Sequence, residues 1–102
     1  MAYEFQVTID STAPHPLADW WAEGAAITHP TGGAPRLLFQ RVPEPKTVKN
    51  RVHLDVDVGA DRVAEEVDRL TGMGDTVLHT GQQGPHSWVT IADPEGNELC
   101  LT

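Results

Sequence analysis

An α+β fold made of two unequal copies of one unit is predicted by three features of the sequence. Two segments alternate apolar and polar residues, each is followed by a stretch with the apolar spacing of a helix, and the second pair lies 47 positions after the first. A complete unit of this kind has the order βαβββ. We therefore expect curved, mainly antiparallel sheets with helices on their outer faces, and a first unit that lacks about two strands.

The two alternating segments predict strands that each have one apolar and one polar face. Sliding the sequence by 47 positions keeps the alternation in phase and places Gln6 on His53, both on the polar face. The apolar faces comprise Phe5, Val7 and Ile9 in the first strand, and Val52, Leu54, Val56 and Val58 in the second.

A helix is predicted after each of these strands. The first helix covers 16–23 and contains two consecutive tryptophans, Trp20 and Trp21, of which one should face the sheet while the other is partly exposed. The second helix should be capped by Asp61 and ended by Gly72 and Gly74, since these residue types favour helix starts and ends. Its apolar residues are Val63, Ala64, Val67, Leu70 and Met73.

The later strands show that the two units are unequal. Gln6 and Gln40 of the first unit are 34 positions apart, whereas His53 and Cys100 of the second unit are 47 positions apart. The first unit is therefore 13 residues shorter, which is the length of two short strands and a turn. In the first unit, 25–28 is interpreted as the vestige of a strand, and the turn-rich segment 29–35 follows it. The remaining predicted strands are 36–42 in the first unit and 76–80, 87–92 and 97–102 in the second.

The chain is predicted to form a single domain over residues 1–102. The first unit spans 1–42, the proline-containing linker 43–49, and the second unit 50–102. A tight turn is predicted at 93–97, where proline and glycine occupy the positions that such turns favour. The residues expected in the core are Val52, Leu54, Val56, Val63, Val67, Leu70, Val89 and Ile91.

Composition excludes several classes of partner. The 102 residues carry a net charge of -8, so the chain lacks the basic field that nucleic acids and anionic membranes require. There is no long apolar run and no signal-peptide pattern at the start, and the single cysteine fits a reducing compartment, so a cytoplasmic location is predicted. Sheet edges left uncovered by the shortened unit predict a homodimer.

Two phrases in the second half carry a family resemblance. They are Arg51-Val-His-Leu-Asp-Val56 and Ala92-Asp-Pro-Glu-Gly-Asn-Glu-Leu-Cys100. Together with the duplicated unit, they resemble the glyoxalase-like branch of the vicinal oxygen chelate superfamily, which includes glyoxalase I, bleomycin-resistance proteins and extradiol dioxygenases. The resemblance covers nearly the whole chain and is looser in the first half. It implies paired units that form a cup around a metal or a small molecule.

The resemblance also implies four strand positions that face this cup. They fall on Gln6, Gln40, His53 and Cys100. Metal-dependent members have His or Gln at the opening positions and Glu at the closing ones, so this chain departs from the pattern at Gln40 and Cys100. Glu98 lies two residues from Cys100 and is a candidate replacement carboxylate. Trp88 shares the parity of Thr90 in its strand and is a candidate wall of the cup, with ordinary core packing as the alternative.

Two glutamines, a histidine and a cysteine are a poor ligand set for a divalent cation. The first hypothesis is therefore a glyoxalase-like protein that binds a small organic molecule without a catalytic metal, with Gln6, Gln40, His53, Trp88 and Cys100 as binding residues. The alternative is a metal-dependent lyase, isomerase or dioxygenase that uses His53 with Gln6, Gln40 or Glu98. A purely structural domain with a closed cup is the third hypothesis. No cofactor is favoured, and a divalent metal stays open.

Smaller alternatives remain for individual residues. His53 is interpreted as a polar cup residue, with a role as a pocket acid or base left open. Cys100 is more typical of an inert, small apolar residue than of a reactive thiolate. A basic cluster in the middle of the chain either attracts an anionic ligand or forms a solvated surface beside a sheet edge, and the second interpretation is favoured. Its members are Arg36, Arg41, Lys46, Lys49 and Arg51.

Overall fold

The structure is a computed structural model that describes residues 5–24 and 36–102. The chain divides into two compact units, Met1–Pro45 and Lys46–Thr102. The boundary between them falls inside the predicted linker. The predicted vestigial strand 25–28 and the turn-rich segment 29–35 lie outside the described residues.

The described part of the first unit contains two parallel strands and a helical segment. Strand β1 (Val7–Ser11) is followed by helix α1 (Pro14–Asp19), a π-helical turn (Trp20–Gly24) and strand β2 (Leu37–Arg41). The prolines of α1 lie in its first turn, where a helix needs no backbone N–H from them. β1 and β2 pair in parallel along their full lengths.

Both tryptophans of the first unit are buried, which corrects the prediction that one would be partly exposed. Trp20 is 5% exposed and Trp21 2% exposed. Their rings meet edge to face with centroids 5.7 Å apart, and Trp21 also packs against Phe39 of β2 with centroids 6.4 Å apart. The π-helical turn carries both rings, so ideal α-helical rotation does not apply to this pair.

The second unit is a four-stranded mixed sheet with one helix. Strand β3 (Leu54–Val56) is followed by a 3₁₀ turn (Ala60–Arg62) and helix α2 (Val63–Thr71). The remaining strands are β4 (Thr76–Gln83), β5 (His86–Ala92) and β6 (Glu98–Leu101). The sheet order is β3-β6-β5-β4, with β3 and β6 parallel and the other two pairs antiparallel. The predicted α+β class is confirmed; the two-stranded sheet is parallel and the four-stranded sheet is mixed.

The core of the second unit is centred on the two inner strands. The residues most deeply buried are Leu70, Ile91, Leu99 and Leu101, each at most 1% exposed. Leu70 and Ile91 were predicted core residues and are confirmed. Five others are half-buried: Leu54, Val56, Val63, Val67 and Val89.

Val52 contradicts the predicted core, because it is 78% exposed. Strand β3 begins at Leu54, so the apolar alternation extends two residues beyond the sheet. The side-chain amide of Asn50 donates a hydrogen bond to the Val52 carbonyl over 3.0 Å. A local turn contact therefore replaces a ladder hydrogen bond at this position.

The start of α2 also differs from the prediction. Asp61 lies within the 3₁₀ turn, and no side chain caps the helix at Arg62. Asp57 stabilises the turn that precedes the helix, since its Oδ1 accepts a hydrogen bond from the Gly59 backbone N–H over 3.0 Å. The helix ends at Thr71 with Gly72 as its C-cap, so it stops at the first of the two glycines predicted to end it and before Met73.

The predicted turn before the last strand is confirmed. Gly96 has φ +89°, which favours glycine, and its N–H donates to the Asp93 carbonyl over 2.9 Å. The Asp93 carboxylate accepts hydrogen bonds from the backbone N–H groups of Glu95 and Asn97 at 2.8 and 2.9 Å. These bonds offset the cost of burying Asp93, which is 3% exposed.

The parallel ladders of the two units support the duplication and refine its register. Val7 pairs with Leu37, 30 positions later, whereas Leu54 pairs with Leu99, 45 positions later. The first unit is therefore 15 residues shorter between paired positions, rather than 13. In this register Cys100 corresponds to Leu38, and the predicted correspondence with Gln40 is displaced by two residues.

Asp75, just after α2, is a buried carboxylate that weakens the fold at neutral pH. It is 7% exposed, its carboxylate oxygens have no hydrogen-bond partner among the described residues, and burial raises its pKa above the ordinary 3.8. Because the folded state holds this proton more tightly, stability rises as pH falls through the folded pKa. We expect Asp75→Asn to raise the free energy of unfolding at pH 7 by about 1–2 kcal/mol in urea denaturation.

Comparing Asp75→Asn with the wild type at several pH values tests whether burial of the charge causes the difference in stability. The advantage of Asp75→Asn should shrink as pH approaches 3.8, where Asp75 becomes protonated in both folded and unfolded chains. An advantage that stays constant with pH would show that charge burial is not the origin of the effect.

Candidate functional site

A pocket of about 270 Å³ lies on the polar face of the second unit's sheet. Ladder pairing explains why its residues share that face, because Cys100 of β6 lies opposite Asp55 of β3 on one side and Thr90 of β5 on the other. Trp88 follows two residues before Thr90 and lines the same pocket. His53 lines it as well, as the strand parity predicts.

A continuous line of polar side chains lines this pocket, and we call it the polar row. It runs His79, Thr90, Cys100, His53, Asp55. The Thr90 hydroxyl lies 3.2 Å from His79 Nε2 and 3.2 Å from Cys100 Sγ. His53 Nδ1 lies 3.8 Å from Cys100 Sγ and 3.1 Å from Asp55 Oδ1. Each member thus has a polar neighbour inside the row.

Cys100 is a protonated thiol at neutral pH in this environment. Burial raises the pKa of Cys100 above its ordinary value of 9.0, and the carboxylates of Asp55 and Glu98 raise it further. The hydrogen bond with Thr90 acts in the opposite direction and is outweighed. The thiol is therefore a poor nucleophile at rest, as predicted for an inert cysteine.

Glu98 lines the pocket but is held by the segment before β3. Its carboxylate is 7% exposed and accepts hydrogen bonds from Lys49 Nζ at 2.7 Å and the Asn50 backbone at 3.1 Å. Lys46 Nζ lies 3.9 Å from the same carboxylate. The Lys49 hydrogen bond is the largest cause that lowers the pKa of Glu98. Both oxygens are engaged, so Glu98 serves as a structural anchor rather than a free ligand.

Trp88 forms a wall of the pocket by packing across the β4–β5 hairpin. Gly81 lies opposite Trp88 in the antiparallel ladder. A Cβ atom at Gly81 would stand 2.3 Å from two carbon atoms of the indole ring, which is closer than side chains approach. The indole therefore lies directly over the glycine backbone. This contact requires glycine at position 81.

The structure brings three of the five predicted binding residues together: His53, Trp88 and Cys100. Gln6 and Gln40 belong to the first unit, where both are exposed. Gln6 Oε1 accepts a hydrogen bond from Arg36 over 2.8 Å. A role for either glutamine in binding remains a prediction.

Sequence reasoning missed several residues of the pocket, chiefly Asp55, His79, Thr90 and Lys49. Two of them carried a usable signal. Asp55 has the same strand parity as His53, and Thr90 has the same strand parity as Trp88. His79 lies beyond a register shift in the β4–β5 ladder, so its orientation could not be obtained by counting along the strand.

The metal site implied by the family pattern does not fit the residues at the family's positions. Gln6 and Gln40 offer weak neutral oxygens, and Cys100 must lose a proton to bind a metal. The structure, however, places a different third donor beside His53 and Cys100. The ligand atoms of His53, Asp55 and Cys100 all lie within 4.8 Å of one another. This set fits a cation that accepts nitrogen, oxygen and sulfur.

Among the described residues, no helix is long and apolar enough to cross a membrane. A comparison with curated proteins finds no match.

Solved structures with the same fold cover almost the whole chain. The fosfomycin resistance protein FosX from Listeria monocytogenes superimposes with a TM-score of 0.76 at 10% identity, covering 99% of this chain and 92% of FosX. A glyoxalase/bleomycin resistance protein/dioxygenase family enzyme from Burkholderia phytofirmans PsJN gives 0.72 at 16% identity, covering 94% of each chain. TioX from Micromonospora sp. ML1 gives 0.59 at 20% identity, covering 98% of this chain and 97% of TioX. At these identities the likeness establishes the fold.

A protein-family model shows which family the chain belongs to. The model of the glyoxalase-like domain matches residues 6–102, which includes both units and the linker. The resemblance seen in the sequence phrases is thereby confirmed. The chain belongs to the glyoxalase-like domain family, within the vicinal oxygen chelate superfamily.

Proposed function

We propose that this chain is a glyoxalase-like small-molecule-binding protein whose second unit holds the ligand without needing a catalytic metal. The observation that carries the proposal is the pocket bounded by Trp88 and the polar row, with a protonated thiol where metal-dependent relatives have a carboxylate. Concave sites with an aromatic wall and a few convergent polar groups are typical of small-molecule binding.

The pocket chemistry narrows the ligand class. Trp88 offers a flat apolar surface for an aromatic or heteroaromatic ring. His53, His79 and Thr90 offer both hydrogen-bond donors and acceptors, so the ring should carry polar substituents. A volume of about 270 Å³ limits the ligand to a small organic molecule.

Binding can be tested by thermal-shift screening of small polar aromatic compounds against chelator-treated protein. A ligand of this pocket should raise the unfolding temperature by mass action and quench tryptophan fluorescence. Trp88→Phe should remove most of the quenching, because the other two tryptophans, Trp20 and Trp21, are buried in the first unit. The phenylalanine ring should preserve part of the binding. A compound that stabilises the protein equally after Trp88→Ala would bind elsewhere and contradict the assignment of the site.

The role of His53 is tested by comparison with its neighbour Leu54. We expect His53→Ala to weaken binding of such a compound while lowering the free energy of unfolding by no more than about 1–2 kcal/mol, the scale of one lost hydrogen-bonding partner. Leu54→Ala should instead cost about 2–5 kcal/mol through loss of packing, without altering the pocket's polar groups. If His53→Ala destabilised as much as Leu54→Ala and binding survived, His53 would be a core residue.

The second candidate is a metal-dependent enzyme of the vicinal oxygen chelate type. The convergence of His53, Asp55 and Cys100 favours it. One FosX structure of the same fold was obtained with Mn(II) and a dihydroxypropylphosphonic acid, so the fold is compatible with metal and ligand together. Elemental analysis of untreated protein separates the candidates. If the protein contains stoichiometric metal and its removal abolishes turnover of a substrate, the metal-dependent enzyme becomes the favoured candidate.

A homodimer and a cytoplasmic location are proposed together with this function. Val48 and Val52 are 73% and 78% exposed in the isolated chain, and β4 is an edge strand with exposed Val77 and Leu78. A second copy would cover such surface. Light scattering should give twice the 11.1 kDa of one chain, and a monomer at high concentration would contradict the dimer. Cell fractionation tests the location.

A further inference from the structure

Two lysines of the basic cluster meet at one end of the pocket. Lys49 Nζ lies 2.7 Å from Glu98 Oε1, and Lys46 Nζ lies 3.9 Å from Oε2 of the same carboxylate. Two positive charges therefore surround one negative charge, which leaves a local surplus of one positive charge. Lys49 lines the pocket and its side chain is 67% exposed, so it presents this surplus to a ligand.

The strand ladders place Trp88 at the other end of the pocket. In the β5–β6 ladder Val89 pairs with Leu101, and Ala92 pairs with Glu98. Trp88 lies one residue beyond Val89, so its level in the sheet is four strand residues from that of Glu98. At about 3.3 Å per residue these levels are about 13 Å apart. The polar row crosses the sheet between them, so the pocket has an aromatic wall at one end and an ammonium group at the other.

From this arrangement we propose that the pocket selects aromatic carboxylates, with the ring packed on Trp88 and the carboxylate bound by Lys49. The inference rests on the proposed function and deepens it, because it assigns the sign of the ligand's charge and the residue that recognises it. A carboxylate on the ligand balances the surplus charge, since Lys46 and Lys49 then face two carboxylates.

Lys49 can bind a ligand without releasing Glu98. An ammonium group has three N–H donors, and in the described part of the chain Glu98 Oε1 accepts the one hydrogen bond that Lys49 donates. Glu98 is a fixed anchor, because it is 7% exposed and its Oε2 accepts a hydrogen bond from the Asn50 backbone over 3.1 Å. Holding the lysine in place before binding reduces the conformational entropy that a ligand must remove.

Two sources of negative charge oppose an anionic ligand, and both act more weakly than Lys49. Asp55 lines the pocket, but it belongs to the polar row, where His53 Nδ1 lies 3.1 Å from its Oδ1. The net charge of -8 repels anions at long range, but salt screens exposed charges beyond about 8 Å at physiological ionic strength. A charge-assisted hydrogen bond acts over about 3 Å, so the contact with Lys49 outweighs the long-range repulsion.

Calorimetric titration of the full-length, chelator-treated protein with matched probes tests the proposal. The probes are arylacetates with phenyl, naphthyl or indole rings, their neutral acetamides and the corresponding cationic arylethylamines. We expect the acetate of at least one ring series to bind at least about 10-fold more tightly than its acetamide, the scale of one charge-assisted hydrogen bond, and the amine to bind most weakly. Lys49→Gln should reduce this preference to about threefold or less and leave binding of the acetamide unchanged.

Arg51→Gln is the matched control, because it removes the same charge from an exposed residue two positions after Lys49 and outside the pocket lining. It should keep the preference for the acetate, and circular dichroism should show that both variants are folded. Equal loss of the preference in Lys49→Gln and Arg51→Gln would overturn the inference, as would binding of an acetamide or amine to the wild type as tightly as the acetate. Both results leave the proposed function intact. If no ring series binds, the proposed function fails, and this inference fails with it.

Discussion

Leu99→Ala is expected to lower the free energy of unfolding by about 3–5 kcal/mol, the largest effect of any single substitution considered for this chain. Leu99 is fully buried on β6, one of the two inner strands, where it pairs with Leu54 on one side and Ile91 on the other. Neighbouring strands hold the backbone in place, so the structure cannot collapse into the cavity. Urea denaturation followed by circular dichroism measures the loss.

Val52→Ala is the matched control, because it also shortens an aliphatic side chain that the sequence pattern assigns to the core. Val52 is 78% exposed, so its loss should change stability by less than about 0.5 kcal/mol. A cost above about 1.5 kcal/mol for Val52→Ala would mean that another surface covers this residue in solution. Repeating the measurement at several protein concentrations would show whether a second copy of the chain provides that surface.

Gly81→Val is expected to displace Trp88 and abolish ligand binding in the pocket. The new Cβ would stand 2.3 Å from the indole ring, so either the ring rotates away or the hairpin shifts. Overpacking of this kind costs about 1–3 kcal/mol of stability. Tryptophan fluorescence should shift to longer wavelength as Trp88 becomes exposed to water, and the thermal shift produced by a pocket ligand should disappear.

Gly84→Ala provides a comparison within the same hairpin. A Cβ atom at Gly84 meets no other atom within 4 Å, although the residue has a positive φ of 59°. We expect a backbone penalty of about 1 kcal/mol without loss of the pocket ligand. Equal losses of binding in Gly81→Val and Gly84→Ala would show that general weakening of the hairpin, rather than movement of Trp88, is responsible.

Much of the fold could be predicted from the sequence because it depends on local patterns. Every described strand lies within two or three residues of a predicted one, and the turn around Gly96 follows directly from its residue types. Periodicity gives no information about where pairing stops, however. This is why the alternation around Val52 continues where the sheet does not.

The site was less predictable because it depends on pairing between distant strands. Strand parity predicted that His53 faces the pocket and left Trp88 between a pocket wall and ordinary core packing; both residues line the pocket. Asp55 could be connected to Cys100 only when β3 was known to pair with β6 in that register. The correspondence of Gln40 with Cys100 was displaced for the same reason, since counting residues along the chain does not determine which ones face each other across a ladder.

The sheet order of the second unit suggests how a duplicated gene could give rise to unequal halves. The β4–β5 hairpin lies outside the parallel pair β3–β6, and the first unit has the corresponding parallel pair in β1–β2. Adding or removing an outer hairpin leaves the register of the inner pair unchanged. Length variation of about this size, here 15 residues between paired positions, is therefore an evolutionary step that each half can take independently. Natural variants of this domain should accumulate insertions and deletions at the hairpin while the inner pair keeps its length.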